Sequence, residues 1–256
     1  MLLVADIGNT NITLGLYDRD KLMNTYRMTT WFKRTSDEYG FMITHFLNTC
    51  HVLASDVEDV IVSSVVPKIM HSFTNSIRRY LHKEPIIVGP GIKTGISIKM
   101  DNPREVGADR IVDAVAAHYT YGGDILVIDF GTATTYEYVN AQGEYHGGCI
   151  TPGIEISAQA LSSNTAKLPE IEIKPATRIL SSNTISGMQA GIFYGYIGQC
   201  EYIIKKFKEE IGKDLKVIAT GGLGRIISEN TDLIDIYDPD LVFKGLHLIY
   251  ERMEKK

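Results

Sequence analysis

Hydrophobic positions along the chain follow two periods. Short, mainly apolar runs occupy residues 2–5, 60–66, 86–88, 125–128 and 217–219, each ended by polar or turn-forming residues. Runs of that length without alternation predict strands buried on both faces. Between them the apolar spacing lengthens to three and four. Phe41, Met42, Phe46 and Cys50 follow a Thr35-x-x-Glu38 capping box, and Ile111, Val112, Val115, Ala116 and Tyr119 make a second stripe; both predict amphipathic helices. Period-two segments at 12–17 and 136–139 end in the turns Asp18-Arg19-Asp20 and Asn140-Ala141-Gln142-Gly143. Each half of the chain is therefore expected to open with a β-hairpin, in an α/β fold.

The pattern repeats internally. Val4-Ala5-Asp6-Ile7-Gly8-Asn9-Thr10-Asn11 aligns with Val127-Ile128-Asp129-Phe130-Gly131-Thr132-Ala133-Thr134: apolar strand, Asp, apolar residue, Gly, small polar residues, then a second strand. A weaker pair joins Val60-Ile61-Val62-Ser63-Ser64-Val65-Val66 to Val217-Ile218-Ala219-Thr220-Gly221-Gly222, each a strand feeding a helix with poorly matched side chains. The expected architecture is a duplicated lobe with a cleft between the copies. The break falls near Gly122-Gly123, which gives lobes of residues 1–122 and 123–256.

In Asp6-x-Gly8-Asn9-Thr10 a strand delivers a carboxylate to the sheet edge, and the Gly lets the chain turn so that backbone amides and the Asn and Thr side chains face an anion. Asp129-x-Gly131-Thr132-Ala133-Thr134 offers the same kit, so a triphosphate held by two loops is expected. One such turn is an ordinary strand end; two at matching places favour function. A third turn, Thr220-Gly221-Gly222-Leu223-Gly224, follows a strand. It would let a base or ribose approach bare backbone, or it would simply meet a positive-φ requirement. The run Asp101-Asn102-Pro103-Arg104-Glu105-Val106-Gly107-Ala108-Asp109-Arg110 leads into the second amphipathic stripe. Asp109 and Arg110 would sit in the early helix turns, with Gly107 leaving room for a ligand and Arg110 able to grip a carboxylate. Helix capping by Asp109 and a surface place for Arg110 are the bland alternatives. Gly187, Gly191 and Gly195 recur every four residues, a stripe for close helix packing within the chain or across a subunit boundary.

Composition removes other classes. Lys and Arg total 26 against 31 Asp and Glu, a net charge of −5, so the basic footprint of a nucleic-acid binder is missing. Cys50, Cys149 and Cys200 are far apart and form no C-x-x-C, which suggests neither a disulfide framework nor a zinc site. The seven histidines form no H-E-x-x-H, and there is no G-x-S-x-G, no P-loop and no G-x-G-x-x-G. With Asp6 interrupting the first apolar run and no 18-residue apolar stretch later, neither a signal peptide nor a membrane span is expected, and a cytoplasmic place is.

Taken together, Asp6-Ile7-Gly8-Asn9-Thr10, the run from Asp101 to Arg110, Ile128-Asp129-Phe130-Gly131-Thr132-Ala133-Thr134-Thr135 and Gly147-Gly148-Cys149-Ile150-Thr151-Pro152-Gly153 resemble the type III pantothenate kinase family, in order and over essentially the whole chain. The resemblance implies two actin-like (ribonuclease H-like) lobes with an interlobe nucleotide cleft, in the acetate and sugar kinase, Hsp70 and actin superfamily. It implies ATP-dependent phosphorylation of pantothenate to 4'-phosphopantothenate, the first step of coenzyme A biosynthesis, by a cytoplasmic homodimer. By the same resemblance Asp109 is the general base. Gly107, Ala108, Asp109 and Arg110 line the pantothenate site with Thr184, and Arg110 reads the acid end. ATP lies on Asp6, Gly8, Asn9, Thr10, Asn11 and Thr13 and on Gly131 and Thr132. Mg2+ sits near Asp6 through the phosphates, and Asp129 holds a monovalent cation, K+ or NH4+. The chain departs from the family in having Met100 where a substrate-touching Tyr is usual. Another small-molecule kinase or phosphatase of the superfamily, or a non-catalytic nucleotide-binding regulator, are the competing readings.

Overall fold

A computed structural model describes residues 1–254. Two compact units are present. One contains residues 1–96, 101–116 and the segment that begins at Leu241; the other contains residues 97–100 and 117–240. Compared with lobes of 1–122 and 123–256, this division moves residues 97–100 and 117–122 to the second unit and the segment that begins at Leu241 to the first.

In the first unit, β1 (Leu2–Ile7), β2 (Asn11–Asp18) and β3 (Lys21–Thr29) form an antiparallel meander, and α1 (Ser36–Thr49), β4 (Asp59–Ser64), α2 (Pro67–Tyr80) and β5 (Ile86–Ile87) follow. The sheet order is β3-β2-β1-β4-β5, with β4 parallel to β1. The capping box forms as the sequence predicts: Thr35 Oγ1 accepts from the Glu38 amide at 3.3 Å, and Glu38 Oε2 accepts from the Thr35 amide at 2.7 Å. Leu3, Ala5 and Ile7 face a core that includes Ile43, Phe46, Phe73 and Ile77 from α1 and α2.

The chain continues through β6 (Ser97–Ile98), α3 (Ala108–Tyr121), β7 (Ile125–Phe130), β8 (Ala133–Val139), β9 (Glu144–Pro152), α4 (Ile154–Ser163), α5 (Thr184–Ile211), β10 (Lys216–Thr220), α6 (Gly224–Ser228), β11 (Ile236–Tyr237) and α7 (Leu241–Glu254). The second sheet reads β11-β10-β7-β8-β9-β6. Without its edge strand β6 it has the order of the first sheet read from the other side. Here β7 takes the place of β1, β8 of β2, β9 of β3, β10 of β4 and β11 of β5. Leu126, Ile128 and Phe130 face Tyr196, Cys200 and Ile204 of α5, as Leu3, Ala5 and Ile7 face α1 and α2.

The duplication reaches fine detail. β1 and β7 share one burial pattern, buried throughout except at the fifth residue, which is Asp6 in one and Asp129 in the other. The second and third strands slip register between Leu16 and Tyr17 in one unit and between Tyr138 and Val139 in the other, so even the bulge is repeated. The weak sequence match between 60–66 and 217–222 is thus a true equivalence of place, since β4 and β10 both run parallel to the central strand. The C-terminal helix α7 packs on β1 and β4. Gly15 is needed there, because a Cβ would lie 2.9 Å from Val4 Cγ2 and 3.0 Å from Phe243 Cδ1.

Candidate active site

Each central strand carries its carboxylate one residue before its end, and the sheet sets a hydroxyl on either side of it. In the first unit Asp6 pairs with Thr13 of β2 and Ser63 of β4. In the second, Asp129 pairs with Thr135 of β8 and Thr220 of β10. Directly paired residues project from the same face of a sheet, so both units present a row of hydroxyl, carboxylate and hydroxyl. Ser63 is completely buried, and among the described residues neither Ser63 Oγ nor Thr13 Oγ1 has a hydrogen-bond partner. Sequence reasoning places Asp6, Thr13 and Asp129 in a site; it misses the roles in these rows of Ser63, Thr135 and Thr220, which only strand register brings beside them.

The loop after β1 is tied by its own backbone. The Gly8 amide donates to Asn11 O at 3.0 Å, Thr30 Oγ1 donates to Gly8 O at 2.7 Å, and the Thr30 amide donates to Thr10 O at 2.8 Å. Gly8, Asn9 and Thr10 separate β1 from β2, whereas only Gly131 and Thr132 separate β7 from β8. The second loop is one residue shorter, so beyond the glycine the linear alignment of the halves slips by one, and Thr13 corresponds to Thr135.

Around Asp129 the backbone closes in. A Cβ at Gly221 would lie 2.5 Å from Asp129 Oδ1 and 2.6 Å from Phe130 O, and one at Gly131 would lie 3.1 Å from Asp129 Oδ2. Gly221 also has φ +92°, a conformation side chains disfavour. The glycine-rich turn 220–224 therefore meets a positive-φ requirement and, in addition, lets the Asp129 carboxylate lie against main chain. Leu223 of the same turn borders an open cavity of about 460 Å3 lined also by Glu155, Gln159 and Glu172. Thr132 is pinned through its carbonyl, which accepts from the Gly153 amide at 3.1 Å.

The 101–110 run behaves as its residue types suggest. A 3-10 turn, Pro103–Glu105, is capped by Asn102, and α3 begins at Ala108. Asp109 Oδ1 accepts from the Arg110 amide at 2.8 Å, and a Cβ at Gly107 would lie 2.5 Å from the same oxygen. The capping alternative is thus partly realised, since this amide belongs to the first helical turn. Burial nonetheless pushes the Asp109 carboxyl above the usual aspartate range, with the Arg110 amide and guanidinium pulling it back. Gly107, Ala108, Asp109 and Arg110 all lie in the first unit, with Asp6, Gly8, Asn9, Thr10, Asn11 and Thr13; Asp129, Gly131, Thr132 and Thr184 lie in the second. Met100, also in the second unit, rests on Gly147, whose φ is +85° and whose Cβ would lie 2.3 Å from its sulfur.

Thr184 opens α5 and is exposed, behind the Asn183 cap that accepts from the Ser186 amide at 2.9 Å. Gly187, Gly191 and Gly195 line an exposed face of this helix, and a Cβ at Gly191 or Gly195 would meet nothing within 4 Å. Outside these elements, Asp20, His247 and Glu251 bring ligand-type atoms within 4.8 Å of one another at the surface of the first unit, a grouping no linear motif announces. Among the described residues no helix is long and apolar enough to cross a membrane.

The model of the type III pantothenate kinase family matches residues 2–206. Proteins named type III pantothenate kinase from Agathobacter rectalis and Bifidobacterium adolescentis are 55% and 53% identical, over 100% and 98% of this chain and 99% and 98% of their own lengths. The relative of the same name from Listeria welshimeri is 51% identical, over 98% of this chain and 97% of its own. Among solved structures, a putative 2-dehydro-3-deoxygalactonokinase from Sinorhizobium meliloti superposes with a TM-score of 0.64 at 11% identity, covering 100% of this chain and 98% of that one. A conserved putative Baf family transcriptional activator from Campylobacter jejuni does so with a TM-score of 0.62 at 20% identity, covering 99% and 100%. These two likenesses, both under 25% identity, concern the fold alone.

Proposed function

The chain belongs to the type III pantothenate kinase family and is a pantothenate kinase of coenzyme A biosynthesis; from that premise we propose that Asp109 is its general base and that the residues around both carboxylate rows hold ATP and its cations. Kinase chemistry asks the protein to position ATP and acceptor and to neutralise phosphate charge. Asp109 takes the proton of the primary hydroxyl of pantothenate as the oxygen forms its bond to the γ-phosphorus and the bond to ADP breaks. The observation that carries this is the setting of Asp109: a carboxyl raised by burial, yet oriented by the Arg110 amide and fitted against a residue without a side chain. Gly107, Ala108, Arg110 and Thr184 complete the acceptor site in this reading, with Arg110 paired to the pantothenate carboxylate. Met100 would fill the place of a substrate-touching Tyr without offering its hydroxyl.

Asp6, Gly8, Asn9, Thr10, Asn11 and Thr13, with Gly131 and Thr132, take the nucleotide. The hard oxygens of the Asp6 row suit Mg2+, which when bound through the phosphates would neutralise charge on them. The Asp129 carboxylate, flanked in register by Thr135 and Thr220, likewise offers oxygen donors for K+ or NH4+. The exposed glycine face of α5, flanked by exposed Ile185, Tyr194 and Tyr202, supports a homodimer that closes on that helix. The origin of the two lobes in residues 1–122 and 123–256, and a cytoplasmic place for the enzyme, go with the same reading. The test is ADP release coupled to pantothenate with purified protein. Turnover of sugar acceptors in place of pantothenate, or ATP binding without turnover, would sink it.

A further inference from the structure

Ser63 stands apart from Ser64, the next residue of its strand. On the same strand end, Ser64 Oγ accepts from the Val66 amide at 3.1 Å and serves the backbone. Ser63 is completely buried, and its hydroxyl has no hydrogen-bond partner among the described residues. A hydroxyl taken from water and left unpaired destabilises the fold, so an Ala at that place would be the better structural choice. Its register partner is Asp6, about 4.8 Å away in the strand-to-strand direction and on the same face. The second unit repeats the arrangement with a different residue type, because Thr220 pairs with Asp129 in the equivalent place. A hydroxyl thus stands beside the carboxylate in both units, on strands whose preceding residues, Val60-Ile61 and Val217-Ile218, also match.

We infer that Ser63 is a positioning residue for Asp6, its hydroxyl turning between staggered wells to donate to the carboxylate when Asp6 takes up a magnesium nucleotide. This deepens the nucleotide site of the proposed function and rests on Asp6 belonging to it. A bound cation would engage one carboxylate oxygen, and a hydroxyl donating to the other would hold the group in its orientation. The donated hydrogen bond also satisfies Ser63, so the destabilisation carried by the free protein is relieved in the complex. Stability and binding are therefore coupled with opposite signs at this one atom.

The experiment compares Ser63→Ala and Ser63→Thr with the unaltered full chain, reading the thermal midpoint of the free protein and ADP binding by calorimetry with and without Mg2+. Ser63→Ala should raise the free protein's midpoint by about 2–4 °C. It should weaken binding of the magnesium nucleotide about tenfold while leaving magnesium-free binding within twofold. Ser63→Thr, which restores the hydroxyl with the residue type of the second unit, should return magnesium-dependent binding to within about threefold. Unaltered magnesium-dependent binding in Ser63→Ala overturns the inference. So does a lowered midpoint or failure to fold, which would make Ser63 a packing residue, and so does equal impairment of both variants. None of these readouts needs pantothenate. A protein that binds the nucleotide as expected but does not phosphorylate pantothenate would sink the proposed reaction and leave Ser63 where it is.

Discussion

Gly107→Ala tests whether the placement of the Asp109 carboxylate, apart from its charge, governs turnover. The added methyl would lie 2.5 Å from Asp109 Oδ1, a distance real Cβ contacts do not show, and 3.4 Å from Val65 Cγ1, which is ordinary contact. The backbone at Gly107 is not in the left-handed region, so Ala is accommodated there and the side chain of Asp109 must give way. Reaching 3.0–3.4 Å requires a displacement of about 0.5–0.9 Å. That is enough to weaken the 2.8 Å bond from the Arg110 amide. Loss of such a bond costs about 1 kcal/mol, a fall of about 2–4 °C in the thermal midpoint. Displacing a reacting group by about 1 Å costs up to ~10²-fold in rate. The expected result is kcat reduced by ~10–10²-fold in a protein that remains folded and binds ATP normally, read by coupled ADP release alongside thermal melting. A kcat within about threefold of the unaltered enzyme would refute the reasoning, because the carboxylate would then act equally well from a displaced position.

Asp109→Asn keeps the shape and capping capacity but cannot take a proton, so kcat should fall by ~10²-fold or more with ATP binding retained; a drop under threefold removes the base. The same variant carries a stability signature. Burial raises the Asp109 carboxyl, so folding disfavours its ionised form above the folded pKa and imposes no penalty below the ordinary aspartate value; Asn should melt higher than Asp near neutral pH, with the gain vanishing as pH falls below about 4. Replacing K+ and NH4+ by a large organic cation should abolish turnover, and full activity without either ion would count against a monovalent site at Asp129. Gly191→Leu places its side chain where nothing stands within 4 Å. The subunit itself should fold normally while any dimer weakens, and an unchanged mass in solution would remove α5 from the interface.

Much of the chemistry was legible in one dimension because it is written in contiguous residues. The Asp-x-Gly turns, the Asp101 to Arg110 run and the buried apolar strands are local patterns, and strand, turn and capping box respond to local dihedral and hydrogen-bond preferences. The internal repeat was visible for the same reason where side chains match, at Asp6 and Asp129. Register was not legible. Thr13 and Ser63 are seven and fifty-seven residues from Asp6, and the sheet alone makes them neighbours. The one-residue difference between the two loops shifts the linear alignment just where the second hydroxyl should be matched, so Thr135 hides one place from where the repeat points. Gly221 has no local sign that its task includes making room for Asp129, since that contact joins two parallel strands far apart in the chain. Likewise α7 follows the second sheet in sequence but packs on β1, because the face of Val4 and Gly15 needs apolar cover that no adjacent segment supplies. Local propensity thus determined which residues form strands, turns and caps, whereas the pairing of distant strands decided which hydroxyls stand beside each carboxylate.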